Sequence, residues 1–159
     1  MNCEIIDTGG QEKFNAINKT YYKRADCCLL VYDVTNRESF EECQNFYKKE
    51  IAENCKINVK VILIGNKVDL KETREISEEE GSKFAKENKY YFKETSCEKN
   101  FNVADAFETI IIMTHSDMIK NGNQNKEINI NTEKEEKIEL DSKLKKQKNQ
   151  KNHRCCVIF

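Results

Sequence analysis

The sequence predicts an α/β fold of about four parallel strands with helices packed between them, and three observations lead there. Short, continuous apolar runs at 27–32 and 59–64 suit strands covered on both faces. Segments of helical period separate and follow these runs, and strands alternating with helices pair in parallel through right-handed crossovers. The polar motifs also each follow a strand, at the carboxyl ends where open parallel sheets bind ligands.

The first expected strand, 2–6, is apolar through Cys3, Ile5 and Ile6 and runs into Asp7-Thr8-Gly9-Gly10-Gln11-Glu12. A carboxylate, a Gly-Gly turn and a glutamine after a strand make up a phosphate-sensing loop of the kind nucleotide hydrolases use. The phosphate cradle G-x-x-x-x-G-K-[S/T] normally accompanies it. None of the five glycines, Gly9, Gly10, Gly65, Gly81 and Gly122, fits that pattern.

A second strand is expected at 27–33, and a helix follows the cap candidates Thr35 and Asn36, with Phe40, Cys43, Phe46, Tyr47 and Ile51 on its apolar side. The third strand is 59–65. Ser77-Glu78-Glu79-Glu80 is a capping box that opens a helix to about Asn88. A weaker strand is expected at 90–95. The last helix starts at Asn102 and buries Val103, Ala106, Phe107, Ile110 and Ile111.

Two motifs lie at the ends of the later strands. In Asn66-Lys67-Val68-Asp69 the Asp69 carboxylate can accept both the N1–H and the exocyclic amino protons of guanine. The Asn66 amide can reach N7, and the Lys67 stem can cover the ring face. Adenine lacks both donors and would leave Asp69 buried and unpaired, a difference of about 10⁴ or more in discrimination. Taken alone, the tetrapeptide also reads as an ordinary polar turn. Glu94-Thr95-Ser96-Cys97 offers backbone N–H groups for the guanine carbonyl oxygen, and alone it reads equally as a plain strand exit. The order and location of the three motifs lift each reading.

Composition narrows the class. The 159 residues, 38% of them hydrophobic, suit one domain with part of the chain outside any core. The division expected is 1–117 as the domain, 118–154 as a flexible tail and 155–159 as a separate terminal motif. Residues 120–154 are dominated by Lys, Glu, Asn and Gln and hold too few apolar groups to offset ordering entropy, with room only for a short helix at 133–146. The net charge is −1, and the +6 segment at 143–154 leaves −7 for the residues before it. An acidic body with a basic end argues against nucleic acid and for an anionic membrane surface. The eight cysteines show no C-x-x-C spacing and accompany only two histidines, so no zinc site is expected. No signal peptide or membrane span is expected either, and most of the thiols read as small buried hydrophobes in a reducing cytosol.

The residues that match between 2 and about 115 make the chain resemble the Rab family of the Ras-like small GTPases. They are Ile5-Ile6-Asp7-Thr8-Gly9-Gly10-Gln11-Glu12-Lys13-Phe14, Tyr21-Tyr22-Lys23-Arg24-Ala25-Asp26, Leu29-Leu30-Val31-Tyr32-Asp33-Val34-Thr35, Glu38-Ser39-Phe40, Gly65-Asn66-Lys67-Val68-Asp69-Leu70 and Glu94-Thr95-Ser96. The resemblance implies the three-layer fold of P-loop GTPases without its first two strands and first helix. It implies that Asp7 holds Mg²⁺ through a water, that the Gly10 N–H meets the γ-phosphate and that Gln11 orients the attacking water. It implies guanine selection by Asn66, Lys67 and Asp69, with Ser96 and Cys97 at the carbonyl oxygen, and a switch from 8 to about 24. The partners implied are GTP or GDP, effectors, exchange factors and activating proteins.

Departures qualify this. Gly9 and Cys97 stand where the family usually has Ala, Glu98 where it has Lys, and Ile6 where Rabs place a Trp. The phosphate loop and first switch have no counterpart. Losing three charge-assisted hydrogen bonds costs about 5–9 kcal/mol of nucleotide binding. Two accounts follow: a sequence that lacks its upstream segment, or a true short chain acting as a membrane-tethered interaction module without useful hydrolysis. The position of Met1 inside the family's strand hairpin favours the first.

The terminus Cys156-Val157-Ile158-Phe159 fits C-a-a-X with the geranylgeranyl preference, and Cys155 beside it resembles the paired cysteines of doubly prenylated Rabs. One lipid binds only marginally, so a second chain or the basic run is needed. The reading as a whole is a prenylated switch in vesicle traffic, on the cytoplasmic face of intracellular membranes with a cytosolic pool.

Overall fold

The computed structural model describes residues 3–8 and 15–130, and for 15–18, 118 and 120–130 it describes the backbone alone. In chain order the elements are α1 (Asn15–Arg24), β1 (Cys27–Asp33), α2 (Arg37–Glu42), a π-helical turn (Cys43–Tyr47), α3 (Lys48–Asn54), β2 (Lys60–Asn66), a 3-10 turn (Lys71–Thr73), α4 (Glu78–Glu87), β3 (Tyr91–Glu94) and α5 (Val103–Ile130).

The sheet is three-stranded and parallel in the order β1-β2-β3, with Cys27 opposite Lys60 and Ile62 opposite Tyr91. Because the order follows the chain, crossovers of one hand put their helices on the same face. Phe40, Cys43 and Ile51 from the first crossover and Phe84 and Ala85 from α4 accordingly share one cluster with Cys28, Leu30, Val61 and Leu63. Ala106 and Ile110 of α5 cover the other face, over Cys27, Leu29, Ile62 and Ile64. Successive strand residues alternate between the two clusters, so the uninterrupted apolar runs are accounted for by burial on both sides.

Local chemistry sets the helix starts. Asn36 caps α2 by accepting the Ser39 N–H at 3.1 Å, and Ser77 caps α4 by accepting the Glu80 N–H at 3.1 Å. At the π turn the Lys48 N–H reaches back to the Cys43 carbonyl. The extra residue lets Cys43 and Tyr47 face the core, while Phe46, expected on the apolar side, is 44% exposed.

Helix α4 approaches the sheet at Gly81, where an added Cβ would stand 2.8 Å from Phe92 Cε2 and nearer still to the Tyr32 hydroxyl. Only a residue without a side chain permits that spacing.

Two expectations are corrected. No strand forms at 3–8, which carry no regular secondary structure, and among the described residues the sheet has three strands, not four. A strand exists only by pairing, and β1 pairs with β2 alone among the described residues. Ile6 is held instead by packing on the α2–α4 side of the core. The last helix also continues beyond Asp117 to Ile130, where a flexible tether is expected. The region 131–159, with the short helix considered at 133–146 and the cysteines Cys155 and Cys156, lies outside the described residues. No helix among the described residues is long and apolar enough to cross a membrane.

Candidate functional site

The carboxyl ends of the three strands gather most of the residues that the sequence singles out. Strand β2 ends on Asn66, opposite Asp33 in β1. The chain then turns sharply through Lys67, whose φ of 69° is left-handed, and the Leu70 N–H closes the turn on the Lys67 carbonyl at 3.0 Å. Two backbone hydrogen bonds tie this turn to the exit of β3, from Val68 N to the Thr95 carbonyl (3.2 Å) and from Thr95 N to the Gly65 carbonyl (2.9 Å).

Side chains lock the two loops further. Thr95 Oγ1 donates to Asn66 Oδ1 at 3.0 Å, and the buried Ser96 hydroxyl donates to Asp69 Oδ1 while accepting the Lys99 N–H at 3.0 Å. Among the described residues nothing bonds to Asp69 Oδ2 or to the Asn66 amide nitrogen, so one acceptor and one donor group stay open to a ligand. Cys97 is exposed at the rim. Ser96 also forms a two-way backbone bridge with Phe101, at 3.1 and 2.9 Å, which closes the 96–101 loop on itself.

Lys67 does not hang free. Its Nζ donates to Asp33 Oδ2 at 2.6 Å, and Asp33 Oδ1 accepts both the backbone N–H (2.9 Å) and the hydroxyl (2.7 Å) of Thr35. Burial alone would raise the Asp33 carboxyl, but the hydrogen bonds from Lys67 and Thr35 outweigh it and hold the group below its ordinary value. The same bond raises Lys67. The ammonium is therefore fixed in its charged form beside the turn. Beneath the loops lies a cavity of about 250 Å³, lined by Leu29, Val31, Ile64 and Phe107 with Asn66 and Thr95 at one side.

The structure thus brings together Asn66, Lys67, Asp69, Ser96 and Cys97. Asp7 is exposed and makes no hydrogen bond or ion pair with another described residue, while Gly10 and Gln11 lie outside the described residues. No group of three or more His, Cys, Asp or Glu among the described residues could hold a metal ion. Asp7 supplies a single carboxylate, so the described residues do not by themselves compose a Mg²⁺ site.

Sequence reasoning missed Asp33 as the partner of Lys67 and Thr95 as the partner of Asn66. Asp33-x-Thr35 is the spacing at which an aspartate bonds its own chain two residues on, a local signal for the bonds to Thr35 that does not point to Lys67. Thr35 instead reads as a cap candidate, a place that Asn36 takes.

Comparison with known proteins identifies the architecture. The Ras family sequence profile matches residues 1–116. The chain therefore belongs to the Ras family, and within it the similarity is to proteins named as Rabs. It is 38% identical over 131 residues to the Ras-related protein Rab-11B of Dictyostelium discoideum, covering 82% of this chain and 59% of that protein. It is 43% identical over 108 residues to Rab-2B of the same organism, covering 68% and 53%. It is 40% identical over 111 residues to the GTP-binding protein ypt3 of Schizosaccharomyces pombe, covering 70% and 51%. The chain spans about half to three fifths of the length of these relatives.

Proposed function

We propose that the chain carries the guanine-recognition half of a Rab-type GTP/GDP switch that regulates vesicle traffic. The observation that carries this reading is the interlock of Asn66, Lys67 and Asp69 with Thr95 and Ser96 at the carboxyl ends of β1–β3. Asp69 Oδ2 and the Asn66 amide would meet complementary atoms on guanine, with the Lys67 stem over the ring and the 96–97 backbone at its carbonyl oxygen. Hydrolysis belongs to the same reading through Gln11, which would orient water, and Gly10, which would meet the γ-phosphate. Mg²⁺, which offsets phosphate charge in such reactions, would need donors in addition to Asp7. Geranylgeranyl groups on Cys155 and Cys156, with the basic run at 143–154, would hold the protein on the cytoplasmic face of an intracellular membrane. Effectors, exchange factors and activating proteins would read the switch.

A second reading is a membrane-tethered interaction module that does not hold nucleotide. Titration of the purified chain with guanosine and with GDP separates the two. Saturable binding of both at similar affinity supports base recognition alone. GDP binding far tighter than guanosine supports a working phosphate site, and binding of neither supports the second reading.

A further inference from the structure

We propose that Cys28 and Cys55 form an oxidation site, closing to a disulfide when the protein meets a peroxide. The two residues are 27 apart in sequence, yet their Sγ atoms stand 3.9 Å apart and share a hydrogen bond. Neither is in a disulfide, and Cys28 is buried while Cys55 is partly exposed. An S–S bond measures about 2.05 Å, so one sulfur must move by roughly 2 Å.

The two positions differ in their freedom to make that move. Cys28 is fixed in the ladder opposite Val61. Cys55 is the residue after α3, with extended backbone (φ −85°, ψ 168°) leading into the exposed turn at 56–59, where Ile57 is wholly exposed. A side-chain rotation at Cys55, with a small shift of that turn, brings the sulfurs together without disturbing the sheet.

Roles follow from the same surroundings. The hydrogen bond from Cys28 lowers the Cys55 thiol below its ordinary value despite the opposing effect of partial burial. Cys55 is accordingly the attacking sulfur. Its thiolate attacks one peroxide oxygen, the O–O bond breaks, and the departing hydroxide takes a proton to become water, leaving a sulfenic acid on Cys55. Cys28 then gives up its proton and attacks the sulfenic sulfur. The S–O bond breaks and the oxygen leaves as a second water. Two thiols and one peroxide thus yield one disulfide and two waters.

Hydrogen peroxide applied to the fully reduced native chain is the test, followed by quenching, alkylation of remaining thiols in denaturant and digestion with trypsin. The expected product joins peptides 25–37 and 50–56, is lighter by two hydrogens than their sum, carries the bond on Cys28 in its fragment ions and disappears on treatment with dithiothreitol. The Cys55→Ser chain should yield none of it while Cys28 becomes alkylated. The proposal is overturned if Cys55 is recovered alkylated, or as sulfinic acid beside an alkylated Cys28, or if the fragment ions put the bond on Cys27.

Discussion

At the scale of single residues, the chemistry of the site comes down to which hydrogen-bonding atoms remain unspent. Asp69 has one oxygen taken by Ser96 and one open. On the proposed reading, replacing Asp69 with Asn exchanges an acceptor for a donor, which opposes the N1–H and amino group of guanine and suits the second carbonyl of xanthine. Asp69→Asn should therefore shift preference from guanosine toward xanthosine, measured by competition with a fluorescent nucleotide, and an unchanged preference would remove Asp69 from the base site. Asp33 supports a prediction independent of any ligand. Its carboxyl lies below the ordinary carboxylate range in the folded chain, so the stability it supplies is present above that range and fades as pH falls through the folded value. Denaturation midpoints measured from pH 7 down to pH 3 should drop less steeply for Asp33→Asn than for the native chain. Parallel curves would mean that the bond to Lys67 contributes nothing to folding. Asp69 was legible from the sequence because the motif is contiguous. Asp33 and Thr95 were not, because their partners Lys67 and Asn66 come from other strands and only the parallel register places them together.

At the scale of elements, local rules and packing make separate and sometimes opposite demands. Ser77 shows them agreeing, since a serine before three glutamates reads as a cap and serves as one. Ser77→Ala should cost about 1 kcal/mol in chemical denaturation, and no loss would show that α4 is held by its packing alone. Gly81 shows them opposed. In a helix interior, alanine normally stabilises over glycine by about 1 kcal/mol. Here the new methyl would meet Phe92 and the Tyr32 hydroxyl, and overpacking of that kind costs about 1–3 kcal/mol. Gly81→Ala should destabilise, and a rise in the denaturation midpoint would show that α4 can slide away from the sheet. The apolar runs of β1 and β2 were readable as strands because burial on both faces leaves a continuous signal. The expected strand at 2–6 carried a similar signal and failed, because a strand also needs a neighbour that sequence periodicity does not display. Helix α1 gave little warning, as Tyr22 alone is buried among its described side chains and Tyr21 is partly packed.

At the scale of the whole molecule, the sheet, its two cores and the site form a consistent partial architecture spanning half to three fifths of its relatives' length. Two features mark where that architecture is thin. Strand β1 has a ladder partner on one side only among the described residues, and the α5 side of the sheet keeps a cavity of about 250 Å³ beside Leu29 and Val31 of that same strand. The α2–α4 side shows the opposite, with fourteen buried residues in one cluster. An unpaired edge on an apolar strand is a template for a second chain, and the adjoining cavity leaves apolar surface that a second chain could cover. The 159-residue chain purified alone should therefore self-associate as its concentration rises, with sedimentation moving from monomer to larger species. A lysine at Val31, which points its side chain to the α5 face at this edge, should oppose that association by setting charge against charge in any paired edge. Monomer at every concentration, for the native chain as for Val31→Lys, would show that the edge of β1 is already covered in solution. The outcome also bears on nucleotide binding, because Asp33, which holds Lys67 in place, is the last residue of the same strand.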